Sequence, residues 1–436
     1  MVNINGRLQQ IKVLVDEGKY FTINRARQYG KTTTLRALAE MLRDEYYVVL
    51  LDFQTFDNEK FSNGNVFSVA FAGSFLRVLR RNCKTMNNEM VSVIEEMKKD
   101  ADYANRYFSL KELFEGLSDI CEAADRKIVL MIDEVDSAAN NQVFIDFLAQ
   151  LRAQYLDREF YPGFQSVILA GVYDIKNLKR KLRPEEGHRY NSPWNIAADF
   201  SIEMSFSESE IAGMLQEYES DHRTGMNISK MSELLYAYTA GYPFLVSRIC
   251  QLMDERVRDE YENLKLVWTE NGFNEAVRIL LAEKNPLFES LVGKICDYPE
   301  LSVMLKTLLF TGRNIAYNPD ETSIDMAQMF GFIKNQNGNV VIANRIFETR
   351  LYNYYLTEAK MQQTEIYKAA LQDKSQFIVN GYLDMERILE RFVVHFQDIY
   401  GESDEKFLEE QGRKFFLLYL KPVSYTHLTL PTILRV

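Results

Sequence analysis

The chain has 436 residues, 47% of them hydrophobic and 26% charged, with a net charge of −11 at pH 7. That length allows two or three domains, and the acidic balance excludes a surface built wholly to coat nucleic acid, although a local basic face is compatible with it. Four scattered cysteines (Cys83, Cys121, Cys250 and Cys296) lack metal-ligand spacing, and no apolar run is long enough for a bilayer, so a reducing cytoplasmic location without a membrane partner is expected.

The opening Met1-Val2-Asn3 runs at once into an amphipathic stretch over residues 8–17, so Met1 reads as an internal methionine of a longer frame. Residues 20–23 read as a first strand. Arg25-Ala-Arg-Gln-Tyr-Gly30-Lys31-Thr32 follows, and a helix-forming segment over 33–43 comes directly after. Strand, loop and helix in that order aim backbone N–H groups and a helix N-terminus at one point, which suits a polyphosphate. Lys31 would reach the β- and γ-phosphates, and the Thr32 hydroxyl would ligate Mg²⁺. The expected nucleotide-binding positions are Arg27, Gln28, Tyr29, Gly30, Lys31, Thr32 and Thr33. The pattern G-x-x-x-x-G-K-[ST] has its first glycine where this chain has Arg25. An arginine takes that turn less easily, so the loop either starts differently or Arg25 packs outward. A lone Gly-Lys-Thr could also be a plain turn before an amphipathic helix.

Residues 46–53 read as a second strand with Asp52 near its end, and 63–82 and 89–102 as helices. Ser109-x-x-Glu112 is a capping box opening another helix. Lys127-Ile-Val-Leu-Met-Ile-Asp133-Glu134 is an unbroken apolar run ending in two acids, the mark of a strand buried on both faces of a parallel sheet. Acids at its carboxyl end fall where such sheets bind ligands. Asp133 would hold Mg²⁺ through water and Glu134 would polarise the attacking water. A helix over 141–156 and a fourth strand over 166–171 follow, with Tyr173 and Asp174 just beyond. Placed between the first and the acidic strand, the fourth would make Asp174 or Tyr173 a sensor of γ-phosphate or water; an ordinary surface turn is the alternative. Residues 199–206 read as a fifth strand.

From Ser207-x-x-Glu210, a second capping box, residues 207–285 read as helical. Pro243 stands in a helix first turn and Arg248 one turn further in, either reaching for phosphate or simply solvated. Residues 286–356 read as helices and a hairpin, with strands at 329–333 and 340–343 around Asn335-Gln-Asn-Gly338, a winged-helix pattern. Lys334, Arg345 and Arg350 are few cations for DNA, which favours a protein–protein spacer. Helical segments are expected at 365–371, 384–398 and 402–420. Residues 423–436 do not continue the preceding text. Residues 423–428 reverse-translate to the end of a transposase sequencing adapter, so this tail reads as an assembly artefact.

Tyr20-Phe-Thr-Ile-Asn-Arg-Ala-Arg-Gln-Tyr-Gly-Lys-Thr-Thr-Thr-Leu35, Leu130-Met-Ile-Asp-Glu-Val-Asp136, Ile168-Leu-Ala-Gly-Val-Tyr-Asp174, Ser192-Pro-Trp-Asn-Ile196 and Gly241-Tyr-Pro-Phe-Leu-Val-Ser-Arg-Ile-Cys250 together resemble bacterial AAA-ATPase-like proteins near the STAND and archaeal-ATPase branch of P-loop ATPases. The resemblance spans residues 8–422. It implies ATP binding, hydrolysis, a helical lid and a winged helix. Gly241-x-Pro243 resembles a lid motif that contacts nucleotide, and Arg248 lies near the place of a second sensor arginine. Residues 407–420 resemble the opening helix of a PD-(D/E)xK nuclease-like domain. The acidic strand and Glu-x-Lys of such a nuclease do not follow, so no nuclease activity is expected.

The expected fold is therefore α/β: a P-loop NTPase parallel sheet of ASCE type over 1–206, a helical lid over 207–285, a winged helix over 286–356, a helical remnant over 357–422 and the tail over 423–436. The expected function is an Mg²⁺-dependent ATPase acting as a switch or motor. Arg180, Arg183 or Arg189 could supply a neighbour-facing finger worth ~10³–10⁵ in rate, which would require a homo-oligomer. The rivals are a nucleotide-binding scaffold without turnover and a winged-helix DNA-binding module with an ATPase loader.

Overall fold

The computed structural model describes residues 2–82, 86–172, 194–260, 264–310, 314–357, 377–379, 382–400, 412 and 414–420. The chain divides into two compact units, one over 3–204 and one over 205–436 that also takes in residues 1–2.

The first unit is built on four parallel strands, β1 (Phe21–Asn24), β2 (Tyr47–Asp52), β3 (Ile128–Asp133) and β4 (Ser166–Gly171), in the order β1-β4-β3-β2. The fourth strand thus fills the slot between the first and the acidic strand, as the sequence suggested. All six residues of β3 are buried because both faces of the sheet are covered. Ile128, Leu130 and Ile132 pack with α3 (Gly64–Asn82), α4 (Asn88–Asp100), α5 (Leu110–Ala123) and α6 (Gln142–Leu156). Val129 and Met131 pack on the other side with α1 (Asn5–Asp16) and α2 (Lys31–Leu42). Two apolar layers therefore clamp the strand, and its only polar end is the carboxyl one. The Ser109–Glu112 capping box forms at the start of α5 as expected.

The fifth expected strand is absent. Residues 198–204 run beside β1 and meet it through one isolated bridge, Phe21 with Ala198, where Ala198 N–H donates to Tyr20 O at 2.8 Å. Asp199 and Glu203 are exposed while Phe200 and Ile202 are half-buried, so this segment has one apolar face and charges on the other. Such charges blunt ladder formation at a sheet edge.

The second unit is helical where it begins. Helix Glu208–His222 opens with the expected Ser207–Glu210 capping box, and helices Ile228–Thr239 and Pro243–Leu252 follow. Gly241 is required by its surroundings: φ is +72°, and a Cβ there would stand 1.9 Å from Phe206 O. Further along come helices Pro286–Asp297, Pro299–Phe310 and Thr322–Met329, a hairpin of Ile333–Gln336 with Asn339–Ile342, and helix Arg345–Leu356. The first hairpin strand starts four residues later than the apolar text at 329–333 implied. Met329 ends a helix, and Phe330 and Phe332 N–H groups bond back to Met326 O and Ala327 O around left-handed Gly331. Helix Met385–Tyr400 covers the expected 384–398 segment, and residues 414–420 are helical. The 365–371 segment, residues 402–411 and the 423–436 tail lie outside the described residues. Among the described residues no helix is long and apolar enough to cross a membrane.

Candidate functional site

β1 ends at Asn24, and the loop that follows makes its turns at Gln28 (φ 57°) and Gly30 (φ 81°). Gly30 is the N-cap of α2, and no side chain caps that helix, which leaves its first turn able to take an anion. The two left-handed residues set the loop's path. Position 25, where the consensus places glycine, does not have a positive φ.

Arg25 packs outward, one of the two alternatives left open by the sequence. Its guanidinium donates to Asn24 O at 2.9 Å and to Ile202 O at 2.8 Å, and lies 5.4 Å from the centre of the Phe200 ring. Its backbone N–H donates to Gly171 O of β4 at 3.2 Å. Lys31 is buried, with 6% of its surface exposed. Its ammonium donates to Arg25 O at 2.9 Å and Ala26 O at 3.0 Å. Burial pulls its pKa down, against the opposing pull of Asp136, Glu134 and Asp133.

The acids arrive from β3. Asp133 is 5% exposed; its Oδ2 accepts from Thr32 Oγ1 at 2.6 Å and its Oδ1 from Glu134 N–H at 3.0 Å. Thr32 and Asp133, 101 residues apart in the chain, are thereby joined directly. Glu134 takes a left-handed backbone (φ 53°) at the strand's end, a conformation held by its surroundings and common at working sites. Burial raises its carboxyl pKa above the ordinary 4.5, and Lys31 partly offsets that.

Asp136 is the residue that the sequence reading quoted but gave no role. Its Oδ2 accepts from Val172 N–H at 2.7 Å. A Cβ on Gly171 would come within 2.8 Å of its Oδ1, so the close approach depends on glycine. Asp136 thus ties the turn after β3 to the end of β4. The signal was its spacing in Asp133-Glu-Val-Asp136, which a tight turn folds back toward the neighbouring strand.

Of the remaining expected positions, Arg27, Gln28 and Thr33 are exposed, and half-buried Tyr29 packs against the α1–α2 side of the core. Asp174, Tyr173, Arg180, Arg183 and Arg189 lie outside the described residues. Pro243 and Arg248 belong to the second unit. Pro243 occupies the first turn of its helix, and Arg248 pairs with Glu283 and donates to Gln251 at 2.7 Å.

An ammonium, a hydroxyl and two carboxylates thus meet at the carboxyl end of the sheet, beside a helix N-terminus. Residues 5–358 match the AAA-like domain, so the chain belongs to that family. No curated protein matches. Among solved structures, the Walker-type ATPase of Pyrococcus abyssi is similar at 14% identity over 80% of this chain and 96% of that one, with a TM-score of 0.53. That likeness shows the shared P-loop ATPase fold. Cdc6p from Pyrobaculum aerophilum matches at 12% identity over 81% of this chain and 95% of that one, with a TM-score of 0.37. The Aeropyrum pernix ORC1 protein, solved in complex with DNA, matches at 10% identity over 81% and 93%, with a TM-score of 0.34.

Proposed function

We propose that this chain binds Mg·ATP at the carboxyl end of its sheet and hydrolyses it, acting as a nucleotide-dependent switch or motor. The observation that carries the reading is the 2.6 Å bond between Thr32 Oγ1 and Asp133 Oδ2 beside a buried Lys31 whose partners are two carbonyls. A lysine left in that state holds its charge ready for a stronger anionic partner. Thr32 and Asp133 offer hard oxygen donors close enough to share one Mg²⁺. Bound Mg²⁺ would neutralise charge on the phosphoryl group in transfer.

Lys31 binds the β- and γ-phosphates, while the N–H groups over residues 27–33 wrap them. Glu134 accepts a proton from, or orients, the attacking water; its burial-raised pKa suits a base better than an exposed glutamate would. Asp174, or Tyr173 beside it in the sequence, is assigned as the sensor of γ-phosphate or water. Pro243 and Arg248 are assigned to a helical lid over 207–285. For Arg248 this means exchanging Glu283 for phosphate.

The test is calorimetric titration of ATP with and without Mg²⁺. Lys31→Ala should abolish binding, and Glu134→Gln should bind but stop turnover. Single-turnover hydrolysis with protein in excess separates an enzyme from a scaffold that only binds. Turnover per chain that rises with protein concentration would support a homo-oligomer with an arginine finger.

Residues 286–356 are read as a winged-helix spacer facing a protein partner. Helix Thr322–Met329 precedes the hairpin, contains no lysine or arginine, and has Glu321 as its N-cap and Asp325 in its first turn. Arg350 donates to Leu281 O and lies 4.8 Å from the Phe288 ring centre, and Arg345 lies 4.3 Å from that of Tyr238. Only Lys334 of the three expected cations is exposed; Arg345 and Arg350 are half-buried. Absence of a mobility shift on duplex DNA at low salt is the expected result.

A further inference from the structure

The departure at position 25 and the missing fifth strand are two views of one contact. β1 is an outer strand of the sheet, and the segment over 198–204 lies along its free side. That segment is fastened at one end by the Ala198–Tyr20 backbone bond. It is fastened at the other by the Arg25 guanidinium, which bonds Ile202 O and faces the Phe200 ring. Phe200 in turn stacks on Phe21 of β1, with ring centres 5.8 Å apart and planes within 8°. Arg25 is therefore held from four directions: Gly171 O on its N–H, Asn24 O and Ile202 O on its guanidinium, and an aromatic face. Its own carbonyl holds the Lys31 ammonium at 2.9 Å. A glycine here would leave the first turn of the loop tied to the sheet by its N–H alone.

We propose that Arg25 is a positioning residue for the phosphate loop, and that its side chain performs by anchoring what glycine performs elsewhere by conformational freedom. This rests on the phosphate-loop reading above. Its consequence runs against consensus logic: Arg25→Gly, which writes the usual loop, weakens nucleotide binding.

The experiment is calorimetric titration of Mg·ATP into the full chain and its variants, with melting followed in parallel without nucleotide. Arg25→Gly is expected to bind about tenfold more weakly, the scale of a lost charge-assisted hydrogen bond. Arg25→Lys, which keeps the cation but not the fork, is expected to recover part of that loss. Phe200→Leu keeps the apolar cover on β1 and removes the ring face; it should weaken binding about twofold, as a surface cation–π contact would. It decides the matter should Arg25→Gly fail to fold. In Arg25→Gly, Phe200→Leu should have no further effect on nucleotide affinity, because the guanidinium its ring faces is gone. Wild-type affinity in both Arg25→Gly and Phe200→Leu overturns the proposal while leaving the phosphate-loop reading intact. Binding unaffected by Lys31→Ala overturns that reading itself, and this one with it.

Discussion

Two sets of cations in this chain are treated in opposite ways. In the first unit, Lys31 is buried against carbonyl oxygens, with three acids near enough to feel its charge but none bonded to it. In the second, Arg248 is paired with Glu283, while Arg350 and Arg345 rest on aromatic rings. A satisfied cation holds structure together. A cation desolvated among weaker partners keeps its strongest interaction in reserve, and that reserve is what a ligand draws on.

The sharpest way to break the comparison is Lys31→Ala. We expect ATP binding to weaken by at least about 100-fold with little change in folding, read by calorimetry and melting together. Arg350→Ala should do the reverse, lowering stability by about 2 kcal/mol in chemical denaturation with ATP affinity unchanged. A loss of affinity there matching that of Lys31→Ala would erase the distinction.

Arg248→Ala sharpens it, because Arg248 is satisfied in this structure yet assigned to the lid. A fall in turnover of about tenfold at constant ATP affinity supports an exchange of partners on nucleotide binding. A loss of stability alone would return it to the structural set.

The smallest effect concerns Glu134. Its folded pKa is raised above the ordinary 4.5, so the folded state binds its proton more tightly than the unfolded chain does. The ionised form therefore costs stability above that pH, and the cost vanishes as pH falls below 4.5. Glu134→Gln should melt slightly higher than wild type near neutrality, with the gap closing on acidification. A gap that widens toward low pH would contradict burial as the cause.

How far the sequence could be read depends on where each element's energy comes from. β3 was plain because six buried residues in a row leave no other arrangement. Residues 199–206 also read as a strand, but the alternating exposure over 199–204 and the charges of Asp199 and Glu203 belong to an edge. Which bonds an edge makes is decided by side chains elsewhere, here Arg25. The convergence of Lys31, Thr32 and Asp133 was legible because loop, helix and acidic strand each carry their own local pattern. Asp136 was not, since its partner is the backbone N–H of Val172, just past the end of a strand far away in the chain. The hairpin strand was misplaced because Phe330 and Phe332 are apolar for the sake of a helix cap that no period-two pattern announces.

The segment over 198–204, a strap along β1, has a bearing on solubility. Behind it lies a strand of four residues, three of them buried. Were the strap to peel away, unsatisfied amides and carbonyls on that margin would be offered to other molecules, a template for runaway chain-to-chain pairing. Precipitation on concentrating the protein, rather than loss of helix content, would then be the first outward sign that this fastening had failed.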